Sequence, residues 1–137
     1  MDGQISPKLQ RANGQIALTL CGDKLEELYQ SGCAKLVLPK TYGEMTEAVM
    51  LNTSGGITGG DRLIVKIQVE NGAVVATSQT AERLYRSITE PAKIEIRLRA
   101  DNAATLHWLP QETIIFDGAE LDRTIRLDTS ADSLSLI

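Results

Sequence analysis

Apolar and polar residues alternate through most of this chain, and the alternation is most regular after residue 60. In LIVKIQVENGAVVATS, Leu63, Val65, Ile67 and Val69 fall on one face of an extended chain, and Lys66 and Gln68 fall on the other. That two-residue period is the mark of a half-buried strand. Asn71-Gly72 joins this run to the next, which predicts a hairpin. The design returns in KIEIRLRADNAATLHWLP and in RTIRLDTSADSLSLI. Upstream, QIALTL predicts a strand from Gln15 to Leu20, and AKLVLP and EAVMLNT predict two more around the polar stretch KTYGEMT. Two segments predict helix instead. GDKLEELYQSG has Asp23 placed as N-cap, Glu26 three residues on, Leu25, Leu28 and Tyr29 on one helical face, and Gly32 as terminator. TSQTAERLYRS, Thr77 to Ser87, predicts a short helical turn after a strand. The polar residues up to about Arg11 read as a loose lead-in.

The regular runs recur at a fixed distance. Ile67-Gln-Val69-Glu70, Ile96-Arg-Leu98-Arg99 and Ile125-Arg-Leu127-Asp128 begin 29 residues apart, at positions 67, 96 and 125. A constant period of this size predicts one supersecondary unit stacked on copies of itself. In-register stacking places Ile67, Ile96 and Ile125 in one inner ladder and Val69, Leu98 and Leu127 in a second. It also sets Lys66 opposite Glu95 and alternates the signs of Glu70, Arg99 and Asp128, while Arg97 opposite Arg126 argues against it. The expected fold is therefore mostly β, a stacked or solenoid-like sheet architecture or a sandwich, with one or two short helices. Ile137 falls inside an alternating apolar run with no turn, cap or polar tail after it. Residues 1–137 are thus expected to form a single β-rich domain that is part of something longer, or one that needs a partner over a bare strand edge.

Composition narrows the function classes. At 137 residues the chain is one ordinary domain in size, with 14 basic and 18 acidic residues and a net charge of −4. No stretch concentrates the basic residues, so nucleic acid is disfavoured as a partner. No apolar run approaches the length of a signal core or a membrane span. Cys21 and Cys33 are the only cysteines and sit twelve apart, which suggests a reduced, cytoplasmic protein rather than a disulfide framework.

Four kinds of chemistry can be weighed on the residues. LNTSGGITGGDRL packs Gly55, Gly56, Gly59 and Gly60 around Thr58, but the position after Gly60 is Asp61 rather than the lysine a phosphate loop requires. On local grounds the loop reads as a sharp double bend. With His107 the only histidine and no Cys-x-x-Cys, no structural zinc site can be built, although Asp61, Glu82, Glu112 and Asp117 are candidate weak oxygen ligands. No Gly-x-Ser-x-Gly elbow is present, and His107 reads as an outward strand residue. Tyr85 and Arg86 are of the types enriched at interface hot spots. Gln111-Glu112 and Asp117-Gly118 lie in LPQETIIFDG, an ordinary strand connection by itself.

Taken in order, LNTSGGITGGDRL, TSQTAERLYRS and LPQETIIFDGA resemble the urease accessory protein UreD (UreH) family, and ELYQSG and AKLVLP fit it too. The resemblance runs from about Ile16 onward and covers the N-terminal half of a family whose members are considerably longer. It implies a non-enzymatic chaperone with a β-rich, helix-poor stacked fold. Such a protein binds the urease apoprotein and recruits a UreF-type protein, which docks a UreG-type GTPase. Nickel then passes transiently through an internal passage to the urease active site, with no tightly bound cofactor. Within that implication Asp61, Thr77, Ser78 and Glu82 are the candidates for an ion passage or contact surface. Gly55, Gly56, Thr58, Gly59 and Gly60 form the signature loop. Tyr85, Arg86, Gln111, Glu112 and Asp117 are partner-interface candidates. Three rivals remain: a protein-interaction β-repeat module without metal traffic, an inactive truncated fragment of the family, and an enzyme acting on a sugar or phosphate.

Overall fold

A computed structural model of the chain describes residues 11–40, 43 and 45–137, so the lead-in expected before Arg11 lies almost wholly outside the described residues. The protein is mostly β. Among the described residues there are twelve strands: β1 (Asn13–Cys21), β2 (Lys24–Gly32), β3 (Ala34–Val37), β4 (Thr46–Asn52), β5 (Arg62–Glu70), β6 (Ala73–Ser78), β7 (Glu82–Leu84), β8 (Ala92–Asp101), β9 (Thr105–Trp108), β10 (Thr113–Ile115), β11 (Leu121–Thr129) and β12 (Leu134–Leu136). They form a five-stranded sheet in the order β11-β8-β5-β1-β2, a second in the order β12-β9-β6-β4-β3, and a two-stranded ladder of β7 and β10. Both large sheets are mixed. Pairing is parallel throughout except at β1–β2 and β3–β4. From β5 onward the chain visits the first sheet, the second sheet and the small ladder in turn, then begins again. A single bridge from Ile57 to Leu84 extends the small ladder by one more layer.

Three sequence expectations are corrected here. Neither helix is present: Asp23–Gly32 is a turn followed by β2, which runs antiparallel to β1 and pairs Leu28 with Leu18. Gly22 and Gly32 take left-handed φ angles at its two ends. All nine residues of β2 are exposed, so the helical spacing of Leu25, Leu28 and Tyr29 has no face to bury. The second predicted helical turn is β7. Asn71-Gly72 does not make a hairpin either, because β5 and β6 belong to different sheets. Asn71, at φ 48°, turns a corner, as do Asn102 and Ala103 at 54° and 59° one layer on. Each strand then finds its partner in the neighbouring layer. The corners themselves are linked, Asn71 N donating to Asp101 O and Thr105 N to Gly72 O.

The third correction is one of register. Ile96 pairs with Ile125 and Leu98 with Leu127, as the 29-residue period predicts. Between β5 and β8, however, Val65 pairs with Ile96 and Ile67 with Leu98, a spacing of 31 residues. Lys66 therefore lies beside Arg97 rather than Glu95, and Glu70 beside Asp101 rather than Arg99. A two-residue shift leaves every side chain on its original face, so burial is satisfied equally by both registers. Ile16, Leu18, Leu20, Ile67, Val69, Leu98 and Ala100 from the first sheet share one core with Ala48, Val74, Ala76, Leu106 and Trp108 from the second.

Candidate functional site

The glycine-rich loop joins β4 to β5 and is pinned along its length. Asn52 Oδ1 accepts from Ser54 N at 2.9 Å. Ile57 N donates to Arg83 O at 2.8 Å, Tyr85 N to Ile57 O at 2.7 Å, and Thr58 Oγ1 to Arg86 O at 3.0 Å, so the loop lies against β7 and the residues after it. Gly56 is required by this packing, because a Cβ there would run into the Tyr85 ring and crowd Arg83 O. Gly60, at φ 85°, makes the last bend before β5.

Asp61 is 4% exposed and is the one buried charged side chain among the described residues. Its Oδ1 accepts from Ala12 N at 2.8 Å and its Oδ2 from Thr58 N at 2.9 Å. Both oxygens are thus occupied by backbone amides. Asp61 holds the loop to the start of β1 and does not line the cavity described next.

Where the glycine loop and the small ladder meet one end of the two sheets, they line a half-open cavity of about 370 Å³. Ile16, Val65 and Ile96 form its apolar wall. Asn52, Ser78, Thr80, Glu82, Thr113 and Arg123 give it polar groups. Ser78 Oγ accepts from Gln111 N at 2.9 Å and donates to Thr80 O at 3.2 Å, and Arg123 Nη2 donates to Thr113 Oγ1 at 3.0 Å. Burial pushes the Glu82 carboxyl above its ordinary range, and the Arg123 guanidinium opposes that shift only in part. Glu82 is therefore a desolvated acid facing a polar space that it shares with the Arg123 guanidinium. No three His, Cys, Asp or Glu side chains among the described residues converge into a set able to hold a metal ion. No helix among them is long and apolar enough to cross a membrane.

Of the residues singled out from sequence, the structure brings Gly55, Gly56, Ser78, Glu82 and Gln111 together at this cavity. Thr77 is on β6 opposite Val49 and is not part of the lining. Arg123, Thr113 and Asn52 were missed. The signal was available for Arg123: it shares a strand face with Ile125 and Leu127, so a cation occupies a core position of the alternation. Asn52 likewise continues the inward series of Ala48 and Met50.

The family model described as UreD urease accessory protein matches residues 10–137. The chain belongs to the UreD urease accessory protein family. Among similar curated UreD proteins, that of Jannaschia sp. (strain CCS1) is 44% identical over 128 residues, covering 93% of this chain and 48% of the relative. That of Chelativorans sp. (strain BNC1) is 45% identical over 125 residues, covering 88% and 45%. That of Agrobacterium fabrum (strain C58) is 40% identical over 139 residues, covering 96% and 48%. The chain thus spans about half the length of the UreD relatives it matches.

On the outside of the small ladder of this UreD-family chain, Tyr85 stacks on Phe116 with ring centroids 5.1 Å apart and planes at 23°. Tyr85, Ile114, Ile115 and Phe116 are exposed there. Arg86 packs its stem over Gly118, and Gln111, Glu112 and Asp117 lie exposed in the connections flanking β10. The partner-interface candidates are therefore gathered around one ladder, on the side away from the cavity for Tyr85 and beside its rim for Gln111.

Proposed function

We propose that this chain acts in urease maturation as a non-catalytic accessory protein in the cytoplasm. In this reading it binds the urease apoprotein and a UreF-type protein, through which a UreG-type GTPase joins, and it conducts nickel as cargo toward the urease active site. It represents the N-terminal portion of a longer, solenoid-like stack. Membership of the UreD family is the observation that carries the reading. The cavity supports the nickel step, because weak, scattered oxygen donors around one desolvated carboxylate release a divalent ion that a thiolate or imidazole cluster would trap. Glu82 and Ser78 are assigned to the wall of the passage, and Asp61 and the signature glycines to its shape. Tyr85, Arg86, Gln111, Glu112 and Asp117 are assigned to partner contact.

Co-expression of the tagged chain with urease apoprotein and the UreF-type protein tests the docking step, and recovery of both partners is the expected result. Glu82→Ala in that complex is expected to lower urease activation without loss of assembly. Unchanged activation would remove Glu82 from the passage. The exposed Tyr85–Phe116 cluster favours one alternative, a docking module without metal traffic, for which assembly would depend on Tyr85 and activation would be indifferent to Glu82.

A further inference from the structure

The outward face of the first sheet carries a row of side chains that neither the cavity nor the small ladder uses. Pairing aligns Tyr29, Ala17, Lys66, Arg97 and Arg126 side by side across all five strands. Adjacent strands lie ~4.8 Å apart, so three cations follow one another at that spacing. Like charges directly opposite on neighbouring strands destabilise a sheet. Arg97 is relieved by Glu95 on its own strand at 2.7 Å, whereas neither Lys66 nor Arg126 has an ion-pair partner among the described residues. Two residues further along each strand the aligned row is Glu27, Thr19, Gln68, Arg99 and Asp128, in which Arg99 is bonded to Asp101 at 2.6 Å and flanked by Asp128. The face is thus banded, with an all-basic row, two of whose three cations are unpaired, beside a mixed row that carries Glu27 and Asp128.

We propose that this row is a docking surface for a protein partner that presents aligned carboxylates. The proposal rests on the reading that the chain docks on urease apoprotein, and it assigns that contact to the first sheet. A partner's carboxylates would relieve the repulsion that the isolated sheet bears. Tyr29 at one end and the arginines at the other are residue types that anchor interfaces, and Ala17 leaves a shallow step between Tyr29 and Lys66. A nucleic acid fits poorly, because its next phosphates would meet Glu27 and Asp128.

The test measures affinity for urease apoprotein at about 0.1 M salt, where the Debye length is ~10 Å. It compares the unaltered chain with the Lys66→Glu/Arg126→Glu and Lys66→Gln/Arg126→Gln doubles, and with Lys35→Glu on the second sheet as control. The reversal is expected to weaken binding at least tenfold and the neutral double by less, with Lys35→Glu unchanged and a weaker salt dependence for both doubles. Thermal melts of the isolated proteins are expected to show the neutral double at least as stable as the unaltered chain. A less stable neutral double would make the row structural and overturn the proposal. Binding unaffected by the reversal would overturn the surface assignment and leave the accessory role standing. No binding by the unaltered chain would overturn both, and tighter binding of a duplex DNA oligonucleotide than of urease apoprotein would overturn the choice of a protein partner.

Discussion

The two ends of the same strands pack in different ways. Toward the Asn71 and Asn102 corners, Leu20, Val69 and Ala100 join Val74 and Leu106 in a core that excludes solvent. Toward the glycine loop, Ile16, Val65 and Ile96 face a cavity that Ser78, Glu82, Thr113 and Arg123 share. The corner end is closed directly by one or two left-handed residues, whereas the other end admits a third ladder, whose width holds the sheets open. Charged groups in core register survive only at the open end, where polar neighbours and space offset their desolvation.

Leu98 and Ile96 are consecutive inward residues near the middle of β8, and only Ile96 lines the cavity. Leu98→Ala is expected to cost about 2–5 kcal/mol by denaturant midpoint. Ile96→Ala should cost distinctly less, because part of its surroundings is already empty and fewer contacts are lost. Equal losses would mean that the open end is as tightly filled as the closed one. Next in size, Asp61→Ala should cost about 3 kcal/mol, since two backbone amides lose a charged acceptor, and Asp61→Asn should recover part of this. Urea titration of the three proteins would check the order. Ser78→Ala frees the Gln111 amide and the Thr80 carbonyl, both near solvent, and a loss of about 1 kcal/mol is expected in the same titration.

The smallest effect sharpens the comparison most. Burial raises the folded-state titration of Glu82, so the stability linked to its protonation is fully present in acid and is lost as pH rises through the folded value. Glu82→Gln should therefore melt slightly higher than the unaltered chain near neutral pH, with the difference shrinking as pH falls below the ordinary glutamate range. A difference constant with pH would show that Glu82 is well solvated, and the cavity would lose its one desolvated acid.

Much of this was legible beforehand, for reasons that also explain what was not. Strand alternation marked β1, β5 and β8 because one face of each is buried and the other is solvated, and β11 carries the same alternation although it lies exposed at the sheet edge. The register between β5 and β8 was not legible, since a shift of two residues preserves both faces, and the pairing of Lys66 with Glu95 pointed the wrong way. Charge complementarity between neighbours is worth tenths of a kcal/mol and gives way to the geometry of the corners. β2 was misread because this exposed edge strand, unlike β11, carries no alternation, which left its chance helical spacing and a plausible cap as the only signals. Glu82 was among four candidate oxygen ligands on its chemistry alone, and the family resemblance placed it at the passage. Arg123 could have been found from the alternation itself, as a cation in an apolar series.

The bond from Ala12 N to Asp61 joins residues 49 apart, and the parallel pairs that follow close segments of about thirty residues each. None of these closures brings the reward of a local hairpin, so chain entropy is lost before contacts offset it. The protein should collect its layers slowly, on the millisecond-to-second scale of non-local β topologies. Until the start of β1 and the glycine loop meet at Asp61, β1 and β5 stay unpaired and open to other chains, which makes the speed of that closure a matter of folding yield.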